Sequence, residues 1–275
     1  MSDLWVSVSG AKALQEKVET IANNVANANT AGFKKDQLAF KEQLTALSRQ
    51  LDEVDLPRKE WRPEDFYRSY GQEHSKVKVD GTYTDFSQGQ LTPTGNPLDV
   101  AINGKGFFEI LAPGGIRYTR RGNFTLSRDG KLVNEQGYPV LAKFDKSSLI
   151  KDAGTIEDPD RRTIDITPGK VNINLKGEVS VGGNQIGELS IVEFKDIHAL
   201  KKEGSLQFIN VEKDNIVIEE VESSIHQGFM ENSNVNALAE MSQLIEANRH
   251  FESIQRAIKT YDKISGMGAN DISKL

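Results

Sequence analysis

Four histidines, His74, His198, His226 and His250, are the first side chains in this sequence with types suited to chemistry. Imidazole binds metals and moves protons near neutral pH, but a metal pair needs a local spacing such as HExxH. The four lie far apart and none has it, so they read as surface or interface side chains. Cysteine is absent, which removes disulfides, thiolate metal sites and cysteine nucleophiles together. Gly104-Lys105-Gly106 is a GxG between two strand-like runs, LDVAIN and GFFEIL. A phosphate cradle needs a helix N-terminus there, so this is read as a tight turn, as is Gly182-Gly183. No serine sits in a GxSxG elbow. Arg120 and Arg121 in TRRGNF would point to opposite faces of a strand, which lets one meet a carboxylate on a neighbouring strand or subunit. No catalytic, cofactor-binding or metal-binding residue is assigned.

Amides are the other concentrated group. IANNVANANTAGFKK, residues 21–35, holds Asn23, Asn24, Asn27 and Asn29 within an otherwise amphipathic helical pattern. Asparagine is a poor helix former because its amide competes for nearby backbone groups. A polar residue at a packed position can fix register at some cost in stability. Asn24 adjoins the seam residue Val25, and Asn27 adjoins Ala28, so both are placed to touch a neighbouring subunit. The alternative is that these amides only cap and stop a helix.

The elements around them fall into three zones. Ala11, Leu14, Val18, Ile21, Val25 and Ala28 recur at steps of three and four, a seam for another helix. Gly32 fits a C′ position and Phe33 can fold back on the last turn. At the other end, Ser233, Asn234 and Asn236 are cap-type residues. Leu244, Ala247, Phe251, Ile254, Ile258 and Tyr261 then repeat the helical spacing, with Leu238, Met241 and Ile245 beside that stripe. From about Val77 to Ile225 the period switches to two, with frequent turns: KVNINLKGEVSV alternates, and Asp129-Gly130 and NEQG read as hairpin turns. Between the first helix and this zone lies a charged connector, 34–76, broken by Pro57 and Pro63, in which Leu38, Phe40, Leu44, Leu47 and Leu51 fit a short helix.

The chain has 275 residues, 37% hydrophobic, with a net charge of −6 and no basic stripe, which argues against nucleic acid. The N-terminus lacks the basic n-region and long apolar run of a cleavable signal peptide, and no stretch approaches the roughly 20 apolar residues of a membrane span. Neither terminal seam has a partner within its own helix, the layout of an assembly component.

Three blocks resemble one known family. IANNVANANTAGFKK resembles the N-terminal signature of flagellar rod, hook and hook-junction proteins. LTPTGNPLDVAINGKGFFEI with RYTRRGNFTLSRDGKLVNEQGYPVL resembles the central block of the longer rod and hook proteins, and QGFMENSNVNALAEMSQLIEANRHFE their C-terminal block. The length of the middle implies a rod protein, proximal or distal, and NRHFE (248–252) looks more like the proximal type. KGEVSV at 176–181 lacks the Asp-Gly often seen at that turn, and nothing in the family places the connector around Trp61 to Tyr70.

The fold expected is mixed and discontinuous. N- and C-terminal α-helices (1–33 and 229–275) form a coiled-coil-like layer, and a central all-β domain (77–228) of many short antiparallel strands lies between, after the 34–76 connector. The resemblance implies a structural rod subunit in the flagellar basal body, spanning the periplasm. It implies polymerisation through the terminal helices and torque transmission from motor to hook, with no cofactor. Implied partners are copies of itself, other rod proteins, hook-side neighbours and the type III export apparatus, through which the chain leaves the cytoplasm uncleaved. Phe40 and Leu44 fit the loose F-x-x-x-apolar export pattern. The subunit interface expected comprises Leu14, Val18, Ile21, Asn23, Asn24, Val25, Asn27, Asn29, Gly32 and Phe33, with Asn234, Val235, Asn236, Met241, Leu244, Ile245, Phe251, Ile254 and Ile258. The alternative class is a secreted β-rich binding or adhesion module with helical ends. An enzyme would need clustered acid, base or metal ligands, which the sequence does not show.

Overall fold

The computed structural model describes residues 2–45, 74–143, 159–204, 206–217 and 222–272. Among the described residues an N-terminal and a C-terminal helix stand, in chain order, before and after a central β-rich region of short antiparallel strands. The described residues divide into two compact units: one from 1–25, 36–83 and 237–275, the other from 26–35 and 84–236.

The first unit holds α1 (Ser2–Ala26), β1 (Asp36–Thr45), β2 (His74–Thr84) and α2 (Ala237–Ile272), with β1 and β2 forming a two-stranded sheet. The helices approach at two places. Gly10 faces Ile254, where an added Cβ would stand 3.9 Å from Cδ1, and Asn24 Nδ2 donates to Glu240 Oε2 at 3.3 Å. These points are fourteen residues apart on either helix and run in opposite senses, so α1 and α2 are antiparallel over about 21 Å.

Two expectations are corrected here. Helix α1 ends at Ala26, not beyond Ala28, because Asn27 and Thr30 close a turn: Thr30 N donates to Asn27 O (3.1 Å) and Thr30 Oγ1 to Asn27 Oδ1 (3.2 Å). Such local bonds compete with the helical ladder. Gly32 is therefore no C′ residue. The expected short helix through Leu38, Phe40 and Leu44 is also replaced, by strand β1. Those three positions are separated by even steps, so they suit a strand, and Asn24 holds the Asp36 backbone from both sides. Leu47, Leu51 and Trp61 to Tyr70 lie outside the described residues.

The second unit carries the main core. Its strands are β3 (Leu91–Pro93), β4 (Val100–Asn103), β5 (Phe107–Ala112), β6 (Gly115–Thr119), β7 (Thr125–Leu126), β8 (Leu132–Val133), β9 (Val171–Ile173), β10 (Glu178–Val181), β11 (Asn184–Glu188), β12 (Ile191–Val192), β13 (Leu200–Glu203), β14 (Gln207–Asn210), β15 (Ser224–Gln227) and β16 (Phe229–Glu231). The order β12-β5-β6-β14-β13 makes a five-stranded antiparallel sheet and β11-β10-β9 a three-stranded one. Strand β5 is buried on both faces: Phe108 and Ile110 enter one apolar cluster, and Phe107 enters another with Tyr118 and Phe208. The period-two reading holds across β9 and β10, where Val171, Ile173, Val179 and Val181 are all buried. Asp129-Gly130 turns the β7–β8 hairpin, with Gly130 at φ +79°. Strands β15 and β16 return from the C-terminal side to pair with β4 and β3.

Candidate assembly site

On the helices of the first unit, the expected interface residues sort by exposure. Ile21 is buried, and Leu14, Val18, Val25, Leu244, Phe251, Ile254 and Ile258 are half-buried. Beside that stripe Leu238, Met241 and Ile245 are exposed by 77%, 48% and 56%. Steps of three and four place these three on one face, an apolar row open to solvent.

The asparagines divide differently. Asn23 and Asn29 are exposed. Asn24 is 1% exposed, and its amide is used within the chain. Its Oδ1 accepts from Asp36 N at 3.0 Å, while its Nδ2 donates to Asp36 O at 2.8 Å and to Glu240. An amide offers both donor and acceptor, so one side chain satisfies the two backbone groups of Asp36 as a paired strand would. The contact expected with a neighbouring subunit is thus an intrachain one at Asn24. Asn27 is half-buried in its turn with Thr30.

Within the second unit, residues 32–34 are built into the β structure. Gly32 N donates to Glu231 O at 2.8 Å. Phe33 is fully buried, with Lys202 Nζ lying 4.2 Å from its ring centroid. Lys34, 1% exposed, donates from Nζ to Glu231 Oε1 (2.6 Å) and to Ser87 O (2.7 Å). Glu231 also accepts from Gly89 N (2.9 Å) and, through Oε2, from Arg120 Nη1 (3.4 Å). Arg120 Nη2 donates to Gly104 O (2.7 Å), and its guanidinium lies over the Phe107 ring. Two buried cations therefore share one buried carboxylate. Burial pushes the Lys34 ammonium below the usual lysine range, while the Glu231 charge pulls the other way. Arg120 is pushed down by burial too, yet a guanidinium stays charged.

Asn234 completes the arrangement. Its Oδ1 accepts from Lys35 N (2.8 Å), and its Nδ2 donates to Asp85 O (2.8 Å) and to Ser87 Oγ (3.0 Å). Val235 is half-buried and Asn236 exposed. Sequence reasoning assigned Asn234 but missed Lys34 and Glu231. The available signal was charge of complementary sign in the family-like blocks: two lysines in GFKK, two arginines in TRRGNF and one glutamate in GFMENS. For Arg120 and Arg121 the carboxylate expectation is met twice, since Arg121 pairs with Glu135 at 2.7 Å.

The discounted motifs behave as turns. Gly104 (φ +128°) and Gly106 link β4 to β5, and Gly182-Gly183 links β10 to β11. His198 packs against Phe86 and His226 against Phe229, and His250 lies one turn from Glu246. Among the described residues no group of three His, Asp or Glu side chains could hold a metal.

Comparison with known proteins places the three blocks. Residues 4–34 match the family described as flagella basal body rod protein, residues 101–181 the flagellar hook protein FlgE/F/G D1 domain, and residues 226–272 the flagellar basal body rod FlgEFG protein C-terminal family. The chain is 32% identical to the flagellar basal-body rod protein FlgF of Caulobacter vibrioides, covering 99% of this chain and 98% of that protein. It is 32% identical to FlgG of Borreliella burgdorferi, covering 98% of each, and 33% identical to FlgG of Bacillus subtilis, covering 96% of each. The buried charge cluster draws Lys34, Arg120 and Glu231 from three chain segments 197 positions apart at their extremes, and Lys34 and Glu231 fall within or beside the first and last matches. The chain belongs to the FlgE/F/G family of flagellar rod and hook proteins, and within it to the rod proteins of the FlgF or FlgG type.

Proposed function

We propose that this chain is a structural subunit of the bacterial flagellar basal-body rod, that it polymerises through its terminal helices, and that it carries torque from motor to hook. Besides family membership, the observation that carries the assembly step is the open row Leu238, Met241 and Ile245 beside the half-buried stripe of α2. An apolar face of that kind marks an interaction surface, and the occupant is the helical face of a second copy or of another rod protein. Leu14, Val18 and Val25 on α1, with Leu244, Phe251, Ile254 and Ile258 on α2, extend the same interface. In the rod these helices form a coiled-coil-like layer. NRHFE favours the proximal, FlgF-type role; the near-equal identities to FlgF and FlgG leave that choice to the motif. Other rod proteins and hook-side proteins are the neighbours, and the basal body is the location.

No described helix is long and apolar enough to cross a membrane. Export through the flagellar type III apparatus, without cleavage, fits that location. Phe40 is 44% exposed on β1, and Leu44 follows four positions on, as the export pattern requires. The relatives are named as rod proteins, which supports a structural role without catalysis and gives the adhesion reading no support.

The test is copurification of the chain with isolated basal bodies, in the wild type and in Met241→Glu with Ile245→Glu. The double variant is expected to keep a folded β unit, to drop out of the basal body and to abolish swimming. A wild-type chain absent from basal bodies overturns the function. Normal incorporation of the double variant removes the exposed row from the interface.

A further inference from the structure

The β unit is continuous in sequence with the terminal elements at four places, and three of these are tied to one another. Segment 34–35 leads into β1, segment 85–87 follows β2, and segment 231–234 leads into α2. Asp85 N donates to Lys35 O at 2.8 Å. Asn234 bonds to Lys35 N, Asp85 O and Ser87 Oγ. Lys34 bonds to Ser87 O and Glu231. Asn232 N donates to Gln90 O at 2.9 Å, just beyond. Thus one amide and one ammonium, both on non-repetitive backbone, join three strands of chain that have no ladder of their own at this point.

We propose that Asn234, linked to the Lys34–Glu231 pair through Ser87 O, which accepts from both Asn234 and Lys34, is a positioning residue that clamps the chain's exit points from the β unit. Resting on the rod-subunit reading above, the clamp is the element through which load passes between the terminal helices and the β unit. Three considerations carry this. First, the bonds connect the three segments to one another, so a pull on any one of them is shared by the other two. Secondly, Asn234 is half-buried and its Nδ2 and Oδ1 are both engaged inside the chain, so its amide is committed here and not to another subunit. Thirdly, the Lys34 pair behind it is wholly excluded from water, where an ion pair is held by geometry and is costly to separate. An exposed pair such as Lys143–Glu188 would be worth little and would yield under load.

The experiment uses the full chain and compares Asn234→Ala and Asn234→Asp with Asn248→Ala, a control on the exposed face of α2. Amide hydrogen exchange is read at Lys35 and Asp85, and at Phe108 and Ile110 in the core. In Asn234→Ala, Lys35 N loses its acceptor and is expected to exchange about tenfold faster, while Asp85 N, which keeps its own bond to Lys35 O, changes little and Phe108 and Ile110 are unchanged. Asn234→Asp keeps the acceptor for Lys35 N and loses the donor to Asp85 O and Ser87 Oγ, so Lys35 stays protected. The same variants are then placed in cells and scored for basal bodies and for swimming in media of rising viscosity. The expected result for Asn234→Ala is a normal number of basal bodies containing the chain and a loss of speed that grows with viscosity. Unchanged exchange at Lys35 in Asn234→Ala overturns the clamp. Altered exchange with a wild-type response to viscosity overturns its role in carrying load, as does failure of the variant to enter basal bodies. Absence of the wild-type chain from basal bodies is a separate outcome, and it removes the rod reading on which the load argument stands.

Discussion

The buried cluster holds two cations and one carboxylate, and that imbalance predicts which partner matters more. Replacing Glu231 by Gln leaves Lys34 and Arg120 as neighbouring buried cations without the carboxylate they touch, and only Asp85 and Glu193 act on them from further off. The Lys34 and Arg120 side chains are exposed by 0% and 2%, so water cannot take over. Breaking a buried pair in this way costs about 3–5 kcal/mol. A Gln amide can still accept from Gly89 N, so the loss is one of charge and not of shape. Replacing Lys34 by Met is a different perturbation. It removes one cation and leaves Glu231 with Arg120, a neutral pair, while the Met side chain fills much of the same space. What is lost is the bond to Ser87 O and one of two charged partners, about 1–2 kcal/mol. Glu231→Gln should therefore destabilise the β unit two- to threefold more than Lys34→Met, although both remove the same ion pair. At roughly 2–4 °C per kcal/mol for a domain of this size, the gap amounts to several degrees. The assay is urea unfolding of the full chain followed at the amides of Phe108 and Ile110, fully buried residues of the β unit alone. If Lys34→Met costs as much as Glu231→Gln, the pair is being held by shape and the charge count is irrelevant.

Gly32→Ala should cost more than about 2 kcal/mol, because φ is +71° and the new Cβ would stand 2.6 Å from Arg121 N and 2.7 Å from its Cα, which cannot swing aside. Gly228→Ala, at φ +77° with nothing within 4 Å, is the control and should cost only about 1 kcal/mol in a melting experiment; equal losses would show that backbone conformation alone matters. The Lys34 amine is held below its ordinary value of 10.5 by burial. At pH below the folded value both states are protonated and the full penalty stands; between that value and 10.5 the folded state releases its proton first, so stability rises with pH. The wild type should gain on Lys34→Met as pH rises towards 10.5, as read from urea midpoints, and a gap that stays flat or moves against the wild type refutes the sign.

Much of this architecture is legible in the sequence, and the limits have physical causes. The terminal helices declare themselves because one face is buried and the other wet, which writes a period near 3.6 into Leu244 to Ile258. Strands β9 and β10 do the same at period two. The connector misleads because Leu38, Phe40 and Leu44 fit even steps while Leu44, Leu47 and Leu51 fit steps of three and four, and the deciding contact is Asn24 on the Asp36 backbone, a side chain twelve positions away. The end of α1 is hidden for a related reason: Asn27 belongs to the helical pattern by position but to a turn by its bond with Thr30. Lys34 and Lys35 are indistinguishable as letters. One has its ammonium sealed against Glu231 and the other offers its backbone to Asn234 and Asp85, and only long-range pairing separates them.

The abundance of asparagine then acquires a common cause. At several points where the chain leaves a ladder and its backbone groups lose their partners, an amide stands in. Asn134 Oδ1 accepts from Gln136 N and Tyr138 N, Asn174 Oδ1 from Lys176 N and Glu178 N, and Asn215 bonds Asp196 through both N and O. Asn24 does so at the start of β1, and Asn234 where three segments meet. A buried backbone group without a partner costs as much as a lost hydrogen bond, and a discontinuous fold that enters and leaves its β unit several times creates many such groups. The helix-breaking amides at the end of α1 therefore belong to the cost of that discontinuity. Of the four asparagines in the opening signature, Asn23 and Asn29 are the exposed ones.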